Sequence, residues 1–185
     1  MVEDKKFRIF EAALKLFVEK GIDNTSTYLI SKEAGVATGT MYFYFKSKVE
    51  LINELYFSIK AENLAVSFQD LLKSSLSYES IEKFWIESVE WGVNNPDKFR
   101  FMMQFNSSPY YTEYTQVKFR DFEKNAVKLI EDGIENKLLK DLPPKYIWEF
   151  FSAHFTFTVE YIIRVKTKER KIFFDTLLDG IKYNL

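Results

Sequence analysis

The 185-residue chain has no cysteine, which excludes a disulfide framework and any Cys-ligated metal centre. It has one histidine, His154, so a multi-histidine metal site is excluded as well. No GxSxG, HExxH or phosphate-binding glycine loop occurs. The best carboxylate pair, Glu87 and Glu90, stands three residues apart beside Trp91 and reads as a solvated face. An enzyme is therefore not expected, nor a metal or a cofactor. Long apolar runs are also missing. The greasiest stretch, "IWEFFSAHFTFTVEYII" from Ile147 to Ile163, contains Glu149, His154 and Glu160. It also falls short of the roughly 20 residues a bilayer span needs. The opening "MVEDKKFRIF" has no signal-peptide core, and a cytoplasmic location is expected. Charge of either sign is not in excess, since the net charge is −1, so a nucleic-acid partner would have to be met by local basic placement.

Helix breakers are scarce, with four prolines and six glycines, while 46% of residues are hydrophobic. That combination predicts an all-α protein with a substantial core. Phe7, Phe10, Ala13, Leu14, Phe17 and Val18 recur at helical spacing, and Gly21 supplies a left-handed stop. Thr25 and Ser26 are read as caps of a short second helix carrying Leu29, Ile30 and Ala34. A third short helix is predicted from Thr38 to Phe45. "SKVE", Ser47 to Glu50, is a capping box that opens a long fourth helix toward Leu72. Further helices are predicted over 78–94, 97–105, 110–139, 144–166 and 168–183. The chain divides by this reading into a helix-turn-helix head, 1–47, and a helical body, 48–185.

The head has the ingredients of a helix-turn-helix. Ile30, Ala34, Val36 and Met41 supply the inner contact, Ser31 is small at the crossing, and Gly35 permits the turn. The run "FEAALKLFVEKGIDNTSTYLISKEAGVATGTMYFYFKSKVEL", Phe10 to Leu51, resembles the DNA-binding head of the TetR/AcrR family of bacterial transcriptional regulators. Ala13, Leu16, Phe17, Gly21, Thr25, Ile30, Ala34, Gly35, Val36, Gly39, Tyr42, Phe45, Lys48, Glu50 and Leu51 carry the resemblance.

It implies that the third helix enters the major groove, while the second helix and the start of the fourth grip phosphates. Ser26 and Thr27 suit phosphate, as do the hydroxyls of Tyr42 and Tyr44 and the ammonium of Lys48. Gly39 allows close approach. Thr38, Thr40, Phe43 and Tyr28 suit base reading, through hydroxyls and thymine methyl contacts. Three positions depart from the family pattern: Ala37 and Ser31 stand where Ser and Ala are usual, and Thr38 where many members have Lys or Arg. With no Arg or Lys in the third helix, a bidentate guanine contact is not expected from it. Through Glu50 the head has eight Lys or Arg against seven Asp or Glu, so its attraction for DNA must come from where Lys46 and Lys48 stand.

For the body, the resemblance implies a cavity for a small effector. Trp85, Met102, Phe105, Phe122 and His154 are the candidate lining residues, hydrophobic and aromatic in kind. The last two helices are apolar around more than half their circumference, which predicts burial on two sides and a homodimer interface through Phe151, Phe155, Phe174 and Leu178. The expected function is a DNA-binding regulator, a repressor released by a hydrophobic or aromatic small molecule. The alternative is a helical protein-interaction module with a degenerate DNA-binding head, which a duplex-binding assay with its salt dependence separates.

Overall fold

The computed structural model describes residues 2–73 and 76–183. Among them the elements are α1 (Val2–Lys20), α2 (Thr27–Glu33), α3 (Thr38–Tyr44), α4 (Lys48–Lys73), α5 (Tyr78–Asn94), α6 (Pro96–Asn106), α7 (Glu113–Glu135), α8 (Pro144–Val165) and α9 (Lys171–Ile181). The all-α class is as expected. Two compact units form: Met1–Ala61 with Asn95–Gln116, and Glu62–Asn94 with Val117–Leu185. Thus α4 and α7 each contribute residues to both units, and α6 belongs wholly to the first.

The first unit is built on the apolar stripe of α1. Ile9, Ala13, Leu16 and Phe17 are buried, and Phe17 stacks on Phe101 of α6 at 5.7 Å. Gly21 ends α1 at φ +85°, a conformation that strains any residue with a Cβ. Thr25, read from sequence as a cap, is instead fully buried. Its hydroxyl donates to the carbonyls of Leu16 (3.2 Å) and Gly21 (2.8 Å), so it ties the loop back to α1. Ser26 alone caps α2, its Oγ accepting from the Leu29 amide at 3.2 Å. Gly35 takes φ +62° between α2 and α3. Ser31 sits buried at their crossing, donating to the Thr27 carbonyl (2.8 Å) and to the Met41 Sδ (3.6 Å). The start of α4 is held from both sides. The Glu50 amide donates to Ser47 Oγ (3.1 Å), and the Glu50 carboxylate accepts from the Lys46 amide (2.7 Å).

In the second unit α5 buries Ile81, Phe84, Trp85 and Val89. Here α7 is shorter than its sequence suggests, ending at Glu135. Lys137 turns to φ +54°, and the amides of Leu138 and Leu139 both donate to the Gly133 carbonyl. The folded-back segment then pairs with the end of α9. Lys140 N donates to Ile181 O (2.8 Å) and Tyr183 N to Leu138 O (2.9 Å). α9 also begins later than expected. Arg170, just before it, is held by the Glu90 carboxylate (2.6 Å) and donates to the Thr167 carbonyl (2.9 Å). Glu90 thus ties this unit internally while its side chain stays 42% exposed.

Candidate nucleic-acid interface

A groove opens on the first unit between the α1–α2 loop and the junction of α3 with α4. Asp23, Asn24, Thr25, Ser26, Thr27, Tyr42, Lys46, Ser47 and Lys48 line it. The local folding explains the grouping. Ser26 is exposed at the cap, and its hydroxyl accepts from Leu29, which leaves the hydroxyl proton free to donate outward. Thr27, one residue on, shares a hydrogen bond with the Tyr42 hydroxyl at 3.2 Å, which joins α2 to α3 across the groove. Lys48 starts α4, where a cation gains nothing from the helix dipole. Its Nζ lies 3.4 Å from the Asp23 carbonyl oxygen, and burial holds its ammonium below the usual lysine range, with Asp23 opposing that shift. A partly desolvated cation among hydroxyls is a natural receptor for an anion such as a phosphate.

Beside the groove, α3 buries Met41 and turns the rest of its surface outward. Phe43 is 81% exposed and Tyr28, on α2, is 64% exposed, while Tyr42 is open on the groove side. Thr38 and Thr40 are half-buried; Ala37 and Gly39 are exposed. Ala37 occupies the N-cap of α3 and offers no side-chain cap, as its methyl dictates. A methyl added to Gly39 would meet no protein atom within 4 Å, so nothing inside the protein requires glycine there. Tyr44 is half-buried, set between Phe43 (5.3 Å) and Phe45 (6.5 Å), and turns further inward than Tyr42. The structure therefore gathers Ser26, Thr27, Tyr42 and Lys48 at one groove. Lys46, expected beside the groove, lines it as well, and so does Asn24, which the sequence did not single out. The signal for both was present, since each flanks a residue already singled out.

Residues 9–55 match the sequence profile of the family described as bacterial regulatory proteins, tetR family. A solved TetR-family regulator from Marinobacter aquaeolei superposes with a TM-score of 0.88 at 18% identity, covering 98% of this chain and 97% of that one. Residues 9–55 are thus a TetR-family helix-turn-helix head. A TetR-family regulator from a Shewanella species is 27% identical with a TM-score of 0.78, over 97% of this chain and 99% of its own. A helix-turn-helix transcriptional regulator of Haemophilus influenzae is 27% identical over 106 residues, which span 57% of this chain and 57% of that relative's length. These relatives are transcriptional regulators, not enzymes, and the TetR-family head described above is that of a DNA-binding regulator.

The second unit contains a small apolar cavity of about 50 Å³. Phe68, Leu71, Phe84, Leu129, Trp148 and Phe151 are among its walls, and among the described residues no titratable side chain lines it. None of the five candidate effector residues is among the residues that line this cavity. Met102 and Phe105 are core residues of the first unit, with Phe105 stacked on Tyr56 at 4.1 Å. Trp85 is fully buried, its ring 5.7 Å from His154 and 5.8 Å from Phe174. His154 is half-buried and near Thr158 Oγ1 (3.4 Å), and burial holds its imidazole below the usual pKa. Phe122 comes nearest to the cavity, packed on Phe68 (4.4 Å) and Trp148 (5.7 Å), both of which line it. Helical periodicity marks residues as apolar, but it does not say which apolar face meets empty space.

Of the four dimer candidates, Phe174 is buried, while Phe151, like Phe155 and Leu178, is half-buried. Phe174 is 1% exposed inside its own unit and has no surface left for a partner. Phe151 stacks on Phe84 (5.4 Å) and walls the cavity. Phe155 and Leu178 are half-buried and keep some open surface. The exposed apolar residues of α8 and α9 lie elsewhere: Phe157 at 60%, Val165 and Ile172. Phe157 stacks on Tyr161 (6.1 Å), which meets Phe173 of α9 edge-on (5.6 Å).

Proposed function

We propose that this protein is a homodimeric repressor that holds operator DNA through the face formed by α2, α3 and the start of α4 and is released by a small hydrophobic molecule bound within residues 48–185. The observation that supports the DNA reading best is the groove of Ser26, Thr27, Tyr42, Lys46 and Lys48 beside the outward face of α3. Hydroxyls and cations at the rim take phosphates, and the exposed face of α3 meets base edges. Without Arg or Lys, α3 reads mainly methyl groups and shape. One seven-residue helix reads few bases, so two heads are needed, about 34–36 Å apart or a multiple of that spacing. The pairing surface is the exposed apolar stripe of α8 and α9, with Phe157, Tyr161, Phe173 and Ile172 at its centre and Phe155 and Leu178 beside it.

The effector site is the cavity walled by Phe84, Trp148 and Phe151. Among the described residues its lining is apolar and uncharged, which suits an effector whose buried part is apolar and uncharged. Release follows if the ligand-filled state favours a head spacing the operator does not match. Selection of bound duplexes from a random-sequence pool, followed by release assays with apolar compounds, tests this reading. A recurring two-half-site sequence supports it. Failure to retain any duplex would favour a protein-interaction module instead.

A further inference from the structure

The groove that faces phosphate contains one carboxylate among its lining residues, Asp23. A carboxylate there repels a phosphate backbone at close range, less so as salt screens it. Asp23 is not left loose. Its Oδ1 accepts a hydrogen bond from the Tyr110 hydroxyl at 3.0 Å, and its carbonyl oxygen lies within reach of Lys48 Nζ. Tyr110 belongs to the corner between α6 and α7, eighty-seven residues away in the chain.

That corner is itself fixed. Ser108 Oγ donates to the Phe105 carbonyl (2.7 Å) and accepts from the Tyr110 amide (3.3 Å). Thr115, fully buried, donates to Asn53 Oδ1 on α4 at 3.0 Å, and Asn53 donates in turn to the Val49 carbonyl (2.8 Å). The corner thus grips the α1–α2 loop at one point and the first turns of α4 at another, the two sides of the groove. All of these residues lie within the first unit.

We propose that Tyr110 is a positioning residue for DNA affinity: its hydroxyl holds the Asp23 carboxylate on the corner and away from the phosphate that Lys48 receives. The inference rests on the phosphate-grip reading of the groove. It adds a residue distant in sequence from the helix-turn-helix, one that no head motif points to. Burial and the Asp23 contact together raise the Tyr110 phenol above its usual pKa, in keeping with a hydroxyl committed as donor.

The test is a double-mutant cycle read by fluorescence anisotropy on a labelled random-sequence duplex, where binding is electrostatic. Tyr110→Phe removes the hydroxyl alone and should weaken binding about fivefold at low salt. The loss should shrink toward about 200 mM salt, because charge repulsion is screened. In an Asp23→Asn background, which binds at least as tightly as the wild type, the same change should cost less than twofold. Two results overturn the proposal: a Tyr110→Phe variant within twofold of wild type, or a loss of equal size in both backgrounds and at both salts, which marks a merely structural role. Failure of the wild type to hold any duplex overturns the phosphate-grip reading and this inference with it, whereas failure of the cycle alone leaves that reading intact.

Discussion

Lys48 stands where the helix dipole disfavours it and is partly desolvated, which costs the folded protein unless an anion is met. Lys48→Ala should therefore weaken binding to all duplexes alike and lower the salt slope by about one unit in a salt titration. Thr38→Ala should instead alter which sequence is preferred in a competition assay. Gly39→Ala should leave the melting temperature nearly unchanged, because the new methyl meets nothing in the protein, yet weaken duplex binding. A large loss of stability would show an internal reason for that glycine. His154 gives a pH signature. Burial holds its imidazolium off, so the unfolded chain, titrating near 6.5, takes up the proton first. Stability is then indifferent to this group above that pH and falls as the pH drops below it. His154→Phe should remove this part of the acid destabilisation in melts from pH 7 to pH 5.

Elements were legible to different degrees, and the reasons are local. α2, α3 and the start of α4 are written in short-range chemistry: Ser26, Gly35 and the Ser47/Glu50 box are signals that need no tertiary context. Glu50→Ala should loosen the α4 start and cost about 1 kcal/mol in a denaturant melt. The ends of α7 and α9 were not legible. Residues 136–139 are helix-compatible, and what ends α7 is the pairing of Leu138 and Lys140 with the chain end, a contact across some forty residues. Thr25 was misread for a similar reason, since its hydroxyl prefers α1 carbonyls over the α2 amides. The head site was visible because its residues adjoin in sequence. The cavity was not, because Phe68, Phe84, Trp148 and Phe151 come from three helices and only packing selects the faces that leave a void.

At the scale of the whole molecule, the account assigns separate tasks to separate surfaces, so they should be separable by mutation. Phe157→Glu with Ile172→Glu changes exposed residues only and should give folded monomers by sedimentation that no longer hold a two-half-site duplex. Phe174→Glu would instead bury a charge in the core and unfold the chain, so it reports nothing about pairing. Ala126→Leu adds volume to the cavity wall. It should abolish release by apolar compounds while leaving duplex affinity near the wild-type value, at a stability cost of about 1–3 kcal/mol.

The central claim is that the face formed by α2, α3 and the start of α4 is the one that meets DNA. Amide hydrogen exchange followed by mass spectrometry, with and without a duplex selected by the protein itself, tests it most directly. The account predicts added protection concentrated in residues 24–28 and 38–48, with a smaller effect at the 107–112 corner that holds Asp23. Protection confined to residues after Glu62, with 24–48 unchanged while the duplex is bound, would contradict it.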